Sequence, residues 1–402
     1  MAKVVTQAAF TLSGTLAQGL ARIAIPILVG RFADPESLAH VSLALSVCVL
    51  LSMVWPTPAG TAASRYAVDD SPRSRRALQT LRVSTAVALA VVAVASFGIV
   101  LGLTASVGLA LLSALVTVTY SAYFFTRGVF LGRFRARKLA AWEIVGALVA
   151  VVGALLSLLA GAWIGALVAL AVGYLLIAVV GWPWSRSDGQ PIDRSVLSFT
   201  AHNAVANAAS NGMVQLAMVV AFAVSGSIEA ALFAAAFSLA TPASLFGQAI
   251  NQVLIPHLAE DARAKRPDGR ALTVAGLKLV ALTAVPFALV FVLSPIVLPI
   301  VYGARYDGAV PLLQTLVVAM FFFTVALYPA AALTAWGHAR QLVIANVTGL
   351  VVGVAAMVVL GIAGGATGTA FGLVLGTVVL AIMSIGAMFL ALRRGVDLVG
   401  TE

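Results

Sequence analysis

When the apolar stretches of this 402-residue chain are cut into twelve spans, all but three of its twenty-four Lys and Arg residues fall on one side of them. The spans run over 6–30, 38–60, 81–103, 106–126, 139–160, 161–182, 196–225, 229–253, 273–300, 310–333, 341–362 and 365–392. Each holds about 20 or more mostly apolar residues, enough to cross a hydrocarbon core ~30 Å thick. The charged side carries Lys3; Arg65, Arg73, Arg75, Arg76 and Arg82; Arg127, Arg133, Arg135, Arg137 and Lys138; Arg186 and Arg194; Arg263, Lys265, Arg266, Arg270 and Lys278; Arg340; Arg393 and Arg394. Against these stand Arg31 and Arg305 in opposite loops and Arg22 within a span. Lysine and arginine collect in cytoplasmic loops, so both termini are expected in the cytoplasm.

The composition excludes other classes. With 62% hydrophobic and 9% charged residues and a mean hydropathy of +1.08, no polar stretch is long enough for a soluble domain. The net charge of +10 is spread over short loops, which fits topogenic charge and gives no reason to expect nucleic acid as a partner. All six Trp residues lie near expected helix ends, as interfacial aromatics do. Cys48 is the single cysteine, so there is no disulfide framework. The amino-terminal apolar run is interrupted by Gln18 and Arg22 and reads as a first span, not a signal peptide.

The chain is a six-helix unit written twice. Residues 136–178 align without a gap to 339–381, matching Arg137 with Arg340, Gly146 with Gly349, Gly161 with Gly364, Gly165 with Gly368 and Gly173 with Gly376. The first and seventh spans align as well, pairing Gln18 with Asn207 and Arg22 with Asn211. The expected fold is therefore an all-α polytopic membrane protein of about twelve transmembrane helices in two six-helix lobes, 1–183 and 196–402, joined by a cytoplasmic linker at 184–195. An even number of spans per half relates the lobes by a pseudo-two-fold axis along the membrane normal, an arrangement in which transporters bind substrate between the lobes. The paired glycines Gly161/Gly165 and Gly364/Gly368 have the spacing that lets helices pack closely within a lobe.

Polar residues inside spans point to a binding cavity. Arg22 lies about sixteen residues into the first span, ~24 Å along the helix, where an arginine costs roughly 2.5–3.5 kcal/mol on insertion scales. Either it snorkels outward or pairs with Asp34 or Glu36 in the nearby loop, or it faces a watery cavity as an anion-binding cation. Gln18 sits one turn away on the same face. The seventh span carries Asn203, Asn207, Asn211 and Gln215 at steps of four, with His202 beside them. Glu143 lies one turn inside the fifth span; with His202 it is a candidate for a proton-linked role, although a lone histidine is more often simply hydrogen-bonded. Carboxylates are otherwise scarce in the spans, which argues against organic cations as cargo; amides and a guanidinium suit sugars and phosphates.

The segment VYGARYDGA at 301–309, with Gly303, Tyr306 and Ala309, precedes an apolar span and then LTAWGHAR with Leu333, Ala335, Gly337 and Arg340. Pro256 and Leu258 close the eighth span, and Arg65 and Tyr66 follow the second. This order resembles Wzx-like polysaccharide and lipid-linked oligosaccharide flippases of the multidrug/oligosaccharidyl-lipid/polysaccharide (MOP) exporter superfamily. The resemblance implies a MATE-like fold of twelve helices in two V-shaped lobes, in the bacterial cytoplasmic membrane. It also implies movement of a polyprenyl-(pyro)phosphate-linked glycan from the inner to the outer leaflet. Arg22 would then contact the pyrophosphate, with Gln18 beside it, and the seventh-span stripe would contact sugar. Partners would be the lipid-linked glycan, membrane lipids and polysaccharide assembly enzymes, with the protein acting as a monomer. The runner-up is a MATE-type exporter of drugs and organic cations, which shares the fold.

An enzyme is not expected. Membrane glycosyltransferases and polymerases carry sizeable outer loops with catalytic residues, and every outer loop here is about nine residues or fewer. The sequence has no phosphate-cradling glycine loop, zinc-ligand cluster or nucleophile triad, so neither a cofactor nor a metal is called for. Energy would come from a substrate gradient, an ion gradient or the membrane potential.

Overall fold

The computed structural model describes residues 2–69, 71–184, 192–263, 269–336 and 338–393. Arg186, Lys265, Arg266, Arg394, Gly337 and most of the expected 184–195 linker lie outside the described residues. The protein is all-α and multi-pass. Among the described residues, ten helices are long and apolar enough to cross a membrane. They account for twelve crossings because two of them contain a break. The helices are α1 (Ala2–Phe32), α2 (Pro35–Ser52), α3 (Pro56–Tyr66), α4 (Pro72–Thr104), α5 (Val107–Gly132), α6 (Ala136–Leu159), α7 (Ile164–Gly181), α8 (Arg194–Arg263), α9 (Gly269–Tyr302), α10 (Val310–Ala335) and α11 (Ala339–Arg393), with a 3₁₀ turn at Ala304–Ala309.

The expected boundaries need three corrections. The second span is not one helix: it stops at Ser52 and restarts at Pro56, after Trp55 at φ −145° and ψ −49°. Pro56 cannot donate a backbone hydrogen bond and steers its predecessor out of the α region, so the break falls there. Conversely, the seventh and eighth spans run into each other as α8, and the eleventh and twelfth as α11. The direction of α8 changes at Gly226 (φ 75°, ψ 179°), and that of α11 at Gly364 and Gly365, the latter at φ 60° and ψ −140°. A single glycine in conformations closed to other residues replaces the expected outer loop.

The chain forms two compact units, Met1–Ala208 and Ala209–Glu402. In the first unit, Ala59, Ala62 and Ala63 of α3 pack with Ala77, Leu78 and Leu81 of α4, Phe125 and Val129 of α5, and Val196 of α8. In the second, Tyr328 and Leu333 of α10 and Trp336 just after it pack with Met388 and Ala391 of α11. Trp336 is 1% exposed, so it is a core residue and not the interfacial aromatic its position near a helix end suggested.

The repeated glycine pairs divide their work. Gly161 is a turn residue at φ 77° with open space around it, whereas a side chain at Gly165 would run into Ser157 across the α6–α7 hairpin. Gly364 lies at the break and Gly368 abuts the backbone of Leu360. Close packing within a unit therefore uses the second glycine of each pair.

Candidate functional site

The chemistry of the first unit gathers where α1, α5 and α6 meet. Glu143 on α6 is wholly buried; its Oε1 accepts hydrogen bonds from the Tyr123 hydroxyl at 2.7 Å and from Arg127 Nε at 3.1 Å. Arg127 also donates to Thr15 Oγ1 on α1 at 2.7 Å. Gln18, one turn further along α1, donates to the backbone oxygen of Glu143 at 2.6 Å. Gly14 leaves α1 without a side chain where the Glu143 carboxylate comes against it, so that α1 can approach α6. The other carboxylate oxygen, Oε2, is buried and has no hydrogen-bond partner. The position of Arg127 overturns its assignment to a loop: α5 continues to Gly132, and Arg127 forms the ion pair with Glu143 inside it.

Arg22 lies two helical turns from Thr15 along α1, and its guanidinium donates to the hydroxyl of Tyr120 at 3.1 Å. Tyr120 belongs to an aromatic group with Tyr123 and Tyr174, their ring centroids 5.0–6.2 Å apart. Of the two acids the sequence offers as alternative partners, Asp34 is engaged elsewhere. Asp34 caps α2, accepting from the Ser37 amide at 2.8 Å and its hydroxyl at 2.9 Å.

The α8 stripe is less uniform than its spacing suggests. His202 places Nδ1 2.7 Å from the Ser198 carbonyl, and Asn203 Nδ2 donates to the Phe199 carbonyl at 3.0 Å, so both bond back to their own helix. Asn207, Asn211 and Gln215 are half-buried, and the first two have interaction partners. The structure thus brings Gln18 and Glu143 together, with Arg22 on the same helix as Gln18.

Sequence reasoning missed Tyr120, Tyr123, Arg127, Ser210 and Asn346. In the second unit Asn346 Nδ2 donates to Ser210 Oγ at 2.8 Å. The repeat register that matches Arg137 with Arg340 also matches Glu143 with Asn346, so this bond could have been sought from the sequence. Continued back into α5 and α10, the same register pairs Tyr123 with Ala326 and Arg127 with Ala330. The ion pair is a property of one half only.

Two sequence motifs have structural explanations. Arg65 lays its guanidinium 4.7 Å from the ring centroid of Phe199, and Tyr66 meets the same ring edge-on at 5.5 Å, fixing the end of α3 against the start of α8. Gly303 adopts φ 94°, and Tyr306 and Ala309 are the fully buried residues of the 3₁₀ turn that follows it.

Among the described residues there is no group of three or more His, Cys, Asp or Glu that could hold a metal.

With ten membrane-length helices in two repeated units, the architecture can be compared with known transporters. The structure matches an inward-facing multidrug resistance MATE family transporter of the MOP superfamily with a TM-score of 0.75, at 16% identity, over 96% of each chain. The chain has the MATE fold. An outward-facing MATE transporter gives a TM-score of 0.66 at 16% identity over 98% of this chain and 96% of the other. A MOP superfamily transporter from Pyrococcus furiosus Vc1, described as having a binding pocket of reverse polarity that suggests a different function, gives 0.68 at 16% identity over 99% and 96%. No family model matches the sequence, and no curated protein matches it.

Proposed function

We propose that the protein is an alternating-access transporter, not an enzyme, and specifically a flippase. Its cargo would be a polyprenyl-(pyro)phosphate-linked glycan, moved from the inner to the outer leaflet of a bacterial cytoplasmic membrane for cell-surface polysaccharide synthesis. The observation that carries this reading is the charge balance of the first unit's polar cluster. Glu143 already has Arg127 as its ionic partner, whereas Arg22 donates to a neutral phenol. With all three ionised, the cluster keeps a net positive charge, which attracts a phosphate and repels an organic cation. Arg22 would bind the phosphate, Gln18 would position α1 beside it, and Asn203, Asn207, Asn211 and Gln215 would meet sugar hydroxyls. Glu143 and His202 are the side chains through which proton coupling would run.

The MATE neighbours include multidrug transporters, and the Pyrococcus furiosus protein supports the idea that pocket polarity in this fold can differ with function. The protein would work as a monomer beside polysaccharide assembly enzymes. Depletion in the native host tests cargo class: lipid-linked glycan should accumulate in the inner leaflet. Unchanged surface glycan and lipid-linked intermediates, together with new sensitivity to cationic drugs, would instead establish the exporter reading.

A further inference from the structure

A charged cavity shares no lining residue with this cluster. It has a volume of about 250 Å³ and sits where the end of α5, the start of α6 and the end of α7 meet. Its lining includes Arg133, Arg135 and Lys138 together with Phe130, Trp182 and Trp184. None of its lining residues is acidic. A cavity of similar size, 240 Å³, between α3, α4 and the start of α8 makes the contrast: there Arg65 and Arg73 are accompanied by Asp69 and Asp193. The repeat does not reproduce the basic cavity, because the register puts Trp336, His338 and Gln341 where Arg133, Arg135 and Lys138 stand.

The local backbone is built to present these cations. Phe134 has φ 54°, in the left-handed region that a bulky residue rarely adopts, and its side chain is 66% exposed between the two arginines. Gln7 on α1 holds that turn by donating to the Phe134 carbonyl at 3.0 Å. Trp184 is tied to the end of α7 by its indole N–H, which donates to the Val179 carbonyl at 3.1 Å. From the cavity, Val179, Leu175, Val172 and Val168 form an exposed apolar strip along α7, spaced by four, three and four residues.

We infer that this cavity is a binding site for an anionic phospholipid of the leaflet at that end of the bundle, its phosphodiester held by Arg133, Arg135 and Lys138 and one acyl chain lying along the α7 strip. Tryptophan at the membrane interface, a cationic cleft and an apolar strip leading from it into the bilayer match the three parts of such a lipid. A soluble phosphate would use only the cations. At about 250 Å³ the cavity has room for a phosphodiester group.

The test uses the full-length protein in a neutral detergent, titrated with phosphatidylglycerol, with phosphatidylcholine of the same acyl chains, and with inorganic phosphate, reading the thermal midpoint. Phosphatidylglycerol should raise the midpoint with a saturable affinity, while the other two should not. Each of Arg135→Gln and Lys138→Gln should weaken that affinity about fivefold, and the two with Arg133→Gln about a hundredfold, at roughly 1 kcal/mol per basic residue. The triple substitution Arg75→Gln, Lys278→Gln and Arg340→Gln, which removes as much exposed charge elsewhere, should retain the wild-type affinity. Equal loss in both triple variants would reduce the effect to net charge and overturn the site. A midpoint shift with inorganic phosphate alone would overturn the lipid as occupant. If the first triple variant does not insert, the single variants decide: wild-type affinity in both removes the cavity from lipid binding.

Discussion

Arg127 Nε lies 3.1 Å from Glu143 Oε1, and the internal repeat puts Ala330 and Asn346 in the corresponding places of the second half. One half of a duplicated protein therefore keeps a buried ion pair where the other keeps an amide that bonds to Ser210. Desolvating a carboxylate and a guanidinium costs several kcal/mol per ion, so the pair does not account for its own presence through stability. Its consequence is electrostatic: the buried carboxylate has its own counter-charge in Arg127, while Arg22 is bonded to the neutral Tyr120 hydroxyl.

Removing the arginine alone should be more damaging than removing both charges. Arg127→Ala leaves Glu143 buried with only Tyr123 as a side-chain donor, and breaking such pairs costs about 3–5 kcal/mol. The Arg127 side chain is 21% exposed, which places the expected loss toward the lower figure. Arg127→Ala with Glu143→Gln should recover most of it. Thermal midpoints of the purified single and double variants measure this, and a double variant no more stable than Arg127→Ala would show that the pair is not what the buried carboxylate depends on.

Gly303 and Gly98 should respond oppositely to alanine. Gly303 adopts φ 94° and ψ 163°, a region essentially reserved for glycine, so Gly303→Ala should cost about 1–3 kcal/mol and disturb the seat of buried Tyr306. Gly98 is an exposed position in the middle of α4 with open space where a Cβ would go. Gly98→Ala should be neutral or stabilising, by up to about 1 kcal/mol from helix propensity. Unfolding midpoints in one detergent compare the two; a stable Gly303→Ala would mean that the turn relaxes without strain.

The loop between α3 and α4 should carry a pH dependence. The Ser74 hydroxyl, together with the Ser71 hydroxyl and amide, donates to Asp69 and holds its carboxyl below the usual carboxylate range. A carboxylate stabilised in the folded state contributes fully above its unfolded value, ~3.9, and loses that contribution as pH falls through the lower folded value. Wild type should therefore be more stable than Asp69→Asn at neutral pH, with the difference closing on acidification. A difference that grew toward acid would reverse the assigned sign.

The twelve crossings were legible because apolar run length reports directly on the bilayer. The helix breaks were harder to see. Pro56 marks one of them, but the seventh and eighth spans are separated by only a few residues, and nothing in the composition distinguishes a loop there from a continuous helix turning at Gly226. Arg127 was assigned to a loop because its charge ended an apolar count, although Val129, Phe130 and Leu131 continue the apolar run beyond it. A signal for the ion pair did exist. Arg127 and Glu143 stand eight residues before and eight residues after Arg135, so an antiparallel hairpin brings them to the same depth. Tyr120 offered no such clue, since its partner is set by how α1 packs on α6, which brings the Arg22 side chain within reach of α5.

The role of Arg22 is the decisive question for the cargo. Its guanidinium donates to Tyr120, while Asp34 is committed to Ser37 at the start of α2, so neutralising the loop acids with Asp34→Asn and Glu36→Gln should leave transport near wild type. Asparagine also caps helices well, which keeps that control structurally mild. Arg22→Lys retains the charge but loses the planar fork that binds phosphate bidentately, and Arg22→Ala loses both. Charge-assisted hydrogen bonds contribute ~1.5–3 kcal/mol, so Arg22→Ala should reduce transport of the lipid-linked glycan by about tenfold to 150-fold per inserted molecule, with Arg22→Lys intermediate. Tyr120→Phe removes only the neutral acceptor and should have the smallest effect of the three. Flipping activity normalised to membrane abundance separates the possibilities. Wild-type specific activity in Arg22→Ala would remove this residue from phosphate binding, and lost abundance with retained specific activity would make it a structural partner of Tyr120.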